Sequence, residues 1–173
     1  MKKENRFKTK MMIMRTLILF CLALFLGSGS LMAQDFEYVG AKKCKMCHNK
    51  PATGEQYNKW VDSKHAHAME SLSAEEAKDP KCLKCHSTYG SVDESLIATL
   101  KLDEGVSCES CHGPGSDYYP ASVMKDKAKA LAKGMIEPTE AVCKTCHNPE
   151  SPHFKGFNYK EYVAKIAHSK PAA

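Results

Sequence analysis

The sequence predicts a mainly α chain of few short helices and long loops. Three observations carry that prediction. Apolar residues recur at intervals of three and four only over short stretches, near the helix-starting and helix-stopping residues Thr53, Gly134 and Asn158. The chain has 173 residues, with one Trp and 8% aromatics, and too few large apolar side chains to build a full core of its own. Eight of its nine cysteines fall into four copies of one five-residue motif.

The N-terminus reads as an address. A basic stretch ends at Arg15, an uncharged apolar run follows from Leu17 to Leu26, and small residues precede Ala33. That order describes a secretory signal peptide, and the run is shorter than the roughly 20 apolar residues of a membrane span. We expect cleavage after Ala33, giving a signal peptide over 1–33 and one domain over 34–173. Cys21 lies inside the apolar run after Phe20 rather than after a small residue, which argues against a lipid-anchored cysteine. The formal charge of +5 resides in the leader, and residues 34–173 carry 19 basic and 19 acidic side chains. A basic surface for nucleic acid is therefore not expected.

The four motifs are Cys44-Lys-Met-Cys47-His48, Cys82-Leu-Lys-Cys85-His86, Cys108-Glu-Ser-Cys111-His112 and Cys143-Lys-Thr-Cys146-His147. Cys-x-x-Cys-His is the attachment signature of c-type haem. Two thiols three residues apart reach the two vinyl groups of one porphyrin, and the adjacent histidine falls beneath the iron. A zinc site, a redox dithiol or a disulfide scaffold would use Cys-x-x-Cys without requiring histidine after every second cysteine. At typical abundances, four such histidines by chance have odds on the order of 10⁻⁵. Four covalent haem c groups follow. Cys44, Cys47, Cys82, Cys85, Cys108, Cys111, Cys143 and Cys146 attach them, and His48, His86, His112 and His147 are proximal ligands. Haem faces then supply much of the core. Their propionates make the holoprotein acidic in effect, which favours a basic docking patch on its redox partners.

Each iron also needs a ligand on its other face or an open position. A capping box at Thr53–Gln56 predicts a helix with Tyr57, Val61, His65, Ala68 and Leu72 on one face. His65 then faces inward as a ligand, while His67, rotated about 200° away, faces solvent. Asp93–Leu102 predicts a short helix, and Ser122–Lys133 another, with Met124, Ala128 and Leu131 on its inner face and Gly134 as its stop. Asn158 caps a last helix whose inner face holds Tyr159, Tyr162, Val163 and Ile166. Helical rotation puts His168 off that face unless it lies beyond the helix end, near Pro171. His153, between Pro152 and Phe154, is in a loop, and Met124 is a second type of donor. Two of the four non-motif histidines are poorly placed as ligands, so at least one iron is expected to have an open face for nitric oxide or another small molecule. No Ser–His–Asp set, phosphate loop or His-Glu-x-x-His is present.

Three longer stretches resemble the cytochrome c-554 family: Gly40 to His48, Trp60 to Leu72 and Gly105 to Gly115. The resemblance runs from about Phe36 to His168. It implies a mainly helical fold with long loops around four closely packed haems, in an exported or periplasmic electron carrier. It implies that His65 and His168 are distal ligands and that the His86 haem is five-coordinate. The family also implies a third distal histidine after the Gly-Pro-Gly. Here residues 116–133 contain none, and Met124 is the strong alternative donor in that stretch. Electron carriage between redox proteins by an exported tetrahaem cytochrome is the leading function. Reduction of nitric oxide at an open haem is the alternative, and gas binding or docking at or near a membrane respiratory complex is a third reading.

Overall fold

A computed structural model describes residues 36–168. The elements in order are α1 (Ala41–His48), a 3₁₀ turn at Pro51–Thr53, α2 (Gln56–Val61), 3₁₀ turns at Ala68–Ser71 and Glu76–Lys78, α3 (Pro80–His86) and α4 (Thr88–Ser91). Two more 3₁₀ turns, Glu94–Leu96 and Leu102–Glu104, lead to α5 (Cys108–His112), α6 (Ala121–Met124), α7 (Lys127–Ala132), α8 (Glu140–Lys144) and α9 (Tyr159–Ile166). Among the described residues the only β pairing is an isolated parallel bridge of Tyr38 with Ile97. No described helix is long and apolar enough to cross a membrane. The expectation of few short helices and long loops holds. The signal-peptide residues lie outside the described ones.

None of these helices exceeds eight residues. Isolated helices of that length are not stable in water, so tertiary contacts must hold them. Apolar packing alone is meagre. The buried apolar side chains are Val39, Ala41, Leu100, Tyr118 and Ala130, whereas the largest side chains with almost no exposure are Glu109, Thr88 and Ser87. Polar pins between loops and helix ends therefore carry much of the positioning.

Several boundaries differ from the periodicity. The Thr53–Gln56 capping box does not form. The Thr53 hydroxyl instead donates to the Cys47 and Lys50 carbonyls, and α2 begins after Glu55, a left-handed residue with φ 52°. The helix also stops at Val61, so the 3.6-residue face drawn through His65 and Leu72 is replaced by turns. Asp93–Leu102 yields only the Glu94–Leu96 turn, because Ile97 is drawn into its bridge with Tyr38. Ser122–Lys133 splits at Asp126, whose extended backbone and carboxylate cap α7 by accepting from the Lys129 N–H. The inner residue there is Ala130, while Ala128 and Leu131 are exposed. Asn158 caps α9 as expected, accepting from the Glu161 N–H.

Candidate functional site

The first three motifs lie on α1, α3 and α5, and the fourth starts on α8 and runs past its end. A helical turn places residues i and i+3 on one face, so each cysteine pair can reach one porphyrin edge. Asp79 and Pro80 start α3 as N-cap and first helical residue, with the Asp79 carboxylate accepting from the Lys81 N–H. Among the described residues no disulfide joins any of the eight motif cysteines. Among the described residues no three Cys, His, Asp or Glu side chains converge into a metal-binding cluster.

The motifs meet in a fixed order. The Cys44 thiol contacts Cys108, and that contact, followed by burial, pushes it far above the ordinary thiol range. Burial and the neighbouring Cys146 likewise raise Cys85. Cys111 is pushed up to about 11 by burial and then by Cys143 and Cys146. Motif one thus lies beside motif three, three beside four, and four beside two.

Three motif histidines have their Nδ1 oriented. His86 Nδ1 lies 2.9 Å from the Ala68 carbonyl and 3.2 Å from Ser71 Oγ. His112 Nδ1 faces the Ile136 carbonyl at 3.4 Å, and His48 Nδ1 faces Gln56 Oε1 at 3.1 Å. Gln56 is itself turned by an Nε2–H bond to the Thr53 carbonyl. Carbonyl oxygens only accept, so Nδ1 carries the proton and Nε2 keeps its lone pair for a metal. His147 is held by rings, stacked on Phe157 at 5.0 Å and edge-on to Tyr162 at 5.5 Å.

Two further histidines face motif histidines. His65 and His147 have ring centroids 6.1 Å apart, and His112 and His168 are 5.9 Å apart. A metal–imidazole bond is about 2 Å and a ring centroid lies roughly 1 Å behind its nitrogen, so two imidazoles sharing one iron have centroids about 6 Å apart. The spacing therefore fits an iron between each pair. Burial lowers the proton affinity of His65, His112, His147 and His168. Among the described residues neither His48 nor His86 has a second imidazole at such a spacing.

His65 is placed by a loop rather than by a helix face. Its carbonyl accepts from the Val106 N–H at 2.9 Å, and Val106 in turn accepts from Trp60 Nε1–H at 2.8 Å. Gly105 makes this approach possible: its φ is +61°, and a Cβ there would lie 2.6 Å from the His65 and Ala66 carbonyl oxygens. His168 lies just beyond Ala167, the C-cap of α9, so the rotation that put it off the stripe does not apply. His67 is exposed and engaged with Glu70 at 2.7 Å and the Val61 carbonyl at 2.9 Å. His153 is exposed in its loop, and Met124 ends α6 half-buried.

Periodicity missed the pins. Thr88, 0% exposed, accepts from the Ser107 N–H at 2.7 Å and bonds Ser110 Oγ at 2.7 Å, tying the residues after motif two to those that begin motif three. Ser87 Oγ–H donates to the Leu102 carbonyl at 3.0 Å. Glu109, inside motif three, is also buried. The signal was adjacency: each of these polar residues stands within a motif or directly after one.

The family model for cytochrome c554 and c-prime matches residues 43–113, a span holding the first three motifs. Cytochrome c-554 of Nitrosomonas europaea is 34% identical over 177 residues, covering 84% of this chain and 73% of the relative. The chain belongs to the cytochrome c-554 family. It is accordingly a c-type cytochrome that binds haem c covalently and carries electrons between redox partners. No solved structure matches it. The mainly helical fold with long loops is that expected of a multihaem member of the family.

Proposed function

We propose that this chain is an exported tetrahaem electron carrier. The observation that carries the proposal is the pairing of His65 with His147 and of His112 with His168 at the spacing two imidazoles need to share an iron. Each haem supplies a one-electron change between ferric and ferrous iron. The chain's own residues do the rest. Cys44 with Cys47, Cys82 with Cys85, Cys108 with Cys111 and Cys143 with Cys146 each hold one group by two thioethers. His48, His86, His112 and His147 ligate from the near side. His65 and His168 complete the fourth and third centres. Met124, half-buried at the end of α6, is the proposed second donor to the His48 iron.

The contacts of Cys85 with Cys146 and of Cys44 with Cys108, with Cys143 and Cys146 in the neighbourhood of Cys111, support a path in the order two, four, three, one. Removal of residues 1–33 leaves the domain over 34–173 in the periplasm or an equivalent compartment. Propionates offset no excess of protein cations there, so a basic patch on the partner suits docking. Intact mass of the purified protein tests the count and the cleavage together. The expected mass is residues 34–173 plus four haems, and fewer haems would refute the proposal.

A second function is favoured by the histidine geometry alone. His86 is oriented as a ligand but has no second imidazole at ligating distance among the described residues. An iron open there would bind nitric oxide. Oxidised-state EPR, followed by nitric oxide addition to the reduced protein, tests it. A high-spin signal and ligand binding are expected, and only low-spin signals with no binding would refute it.

A further inference from the structure

The largest fully buried side chain described is a carboxylate. Glu109 lies on α5 between the two cysteines of motif three and is 1% exposed. Its Oε1 accepts from the Val39 N–H at 2.9 Å and the Gly115 N–H at 2.6 Å, and its Oε2 from the Gly40 N–H at 2.7 Å. Glu104 Oε2 accepts from the Ala41 N–H at 2.7 Å. Val39, Gly40 and Ala41 open α1, the helix of motif one. Three consecutive N–H groups at that N-terminus therefore meet two carboxylates, Glu104 from the segment that leads into motif three and Glu109 from within that motif. A Cβ at Gly40 would lie 2.7 Å from Glu104 Oε1, so the carboxylates close over the one residue type that leaves room for them.

The hydrogen bonds favour the ionised form, although burial outweighs them and leaves the proton affinity of Glu109 raised. A protonated carboxyl would need an acceptor for its own hydrogen, and the bonded neighbours of Glu109 are all N–H donors. Burial raises its proton affinity and the three donors oppose that rise. Among the described residues no lysine or arginine pairs with Glu109 or Glu104. The helix N-terminus and the charge-assisted bonds are what make a buried anion tolerable here. The titratable groups facing Glu109 are Tyr38, Cys44, Glu104 and Tyr118.

This anion sits where two haem-attachment motifs meet. Gly40, whose N–H bonds Glu109, has its carbonyl 3.9 Å from Cys44 Sγ of motif one, while Glu109 itself stands between Cys108 and Cys111 of motif three. We propose that Glu109 is a positioning and tuning residue for electron transfer. It locks the motif-one helix to the motif-three helix, and its buried negative charge holds those two irons at lower potential than a neutral contact would. The proposal rests on the tetrahaem reading above. Its physical basis is that a nearby anion stabilises the ferric iron more than the ferrous one. A unit charge acting over the roughly 10 Å between packed helices, at an effective dielectric constant of about 20, shifts such an equilibrium by about tenfold.

The test uses the purified holoprotein, with E109Q and E109D beside the wild type. Intact mass first counts the haems: four are expected, and fewer in the wild type would overturn the tetrahaem reading and this proposal with it. Potentiometric titration followed by EPR then reads each centre. In four-haem E109Q, two of the four midpoints should rise, with about a tenfold higher ferrous-to-ferric ratio at fixed poise, equivalent to 59 mV for one electron. E109D keeps the charge and should stay near the wild type. Unchanged midpoints in four-haem E109Q, or equal shifts in E109Q and E109D, would overturn the proposal while leaving the haem count intact. Should E109Q fail to mature, E104Q carries the test at the same helix end: the same two midpoints should rise by a smaller amount, and no rise overturns it.

Discussion

Replacing Thr88 by valine tests whether buried polar pins, rather than an apolar core, hold the attachment motifs together. Valine matches threonine in shape but has no hydroxyl. Thr88 is 0% exposed, and its Oγ1 is the hydrogen-bond partner of the Ser107 N–H at 2.7 Å. Ser107 is itself 2% exposed, so water does not readily replace the lost acceptor. An orphaned buried donor costs about 1–3 kcal/mol, and the extra methyl returns about 0.8 kcal/mol. The net loss is about 0.2–2.2 kcal/mol, centred on about 1.2. With a urea slope of about 2 kcal/mol/M for a small domain, the unfolding midpoint should fall by about 0.6 M. The assay is urea unfolding of the purified holoprotein followed by far-UV circular dichroism and by haem absorbance. Coincident transitions and an unchanged slope are required before the midpoints are compared. Amide exchange at Ser107 should accelerate in the same variant. A midpoint within about 0.2 M of the wild type, with Ser107 exchange unchanged, would refute the reasoning, because the N–H would then have found another partner.

His65→Ala should convert one low-spin ferric centre to high spin, and His168→Ala a different one, whereas His67→Ala should leave the EPR spectrum unchanged because that ring is engaged by Glu70 and Val61 at the surface. Glu150 is held below the ordinary carboxylate range by Lys84, which lies 2.6 Å away within motif two. A depressed carboxylate stabilises the fold above its unfolded-state range and loses that contribution as pH falls through the folded value. E150Q should therefore melt below the wild type at neutral pH, with the gap closing on acidification and in high salt; a gap that persists at low pH would show that charge is not its cause. Trp60→Phe removes the bond to the Val106 carbonyl that supports the His65 loop, and should cost about 1 kcal/mol in urea unfolding.

The attachment chemistry was legible because it is written in contiguous residues. Four Cys-x-x-Cys-His copies need no tertiary information, and the Asn158 cap is a local signal that formed as expected. Helix extent was less legible, since the 3.6-residue period assumes that a helix continues. Val61, Asp126 and Ile97 each end or interrupt an element through a turn, a cap or a bridge made elsewhere. His65 illustrates the difference. Its ring lies 6.1 Å from that of His147, and what places it there is the hold of Val106 and Gly105 on its backbone rather than a helical face. Glu109 was illegible for a related reason. A charged residue inside an exposed-looking motif reads as solvated, and the three N–H groups that bury it lie 6, 69 and 70 positions away.

These polar pins also explain how so short a chain can present several redox groups to one another. A core of aliphatic side chains would occupy the space between attachment helices and separate the groups they carry. Here the helices are joined at their ends instead. Thr88 ties motif two to motif three, and Glu109 ties motif three to the start of motif one, while His65 and His168 approach motif histidines from loop and helix end. Each join uses backbone N–H groups or imidazole nitrogens, which are directional and need little volume. In the proposed tetrahaem form, the inner faces of the attachment helices would be left for the porphyrins, whose own apolar surface would replace the missing side-chain core. In this construction stability and electron transfer share the same residues. A pin that loosens one attachment helix also moves a redox centre relative to its neighbour, so variants at Thr88 or Glu109 should alter transfer between centres before they unfold the chain.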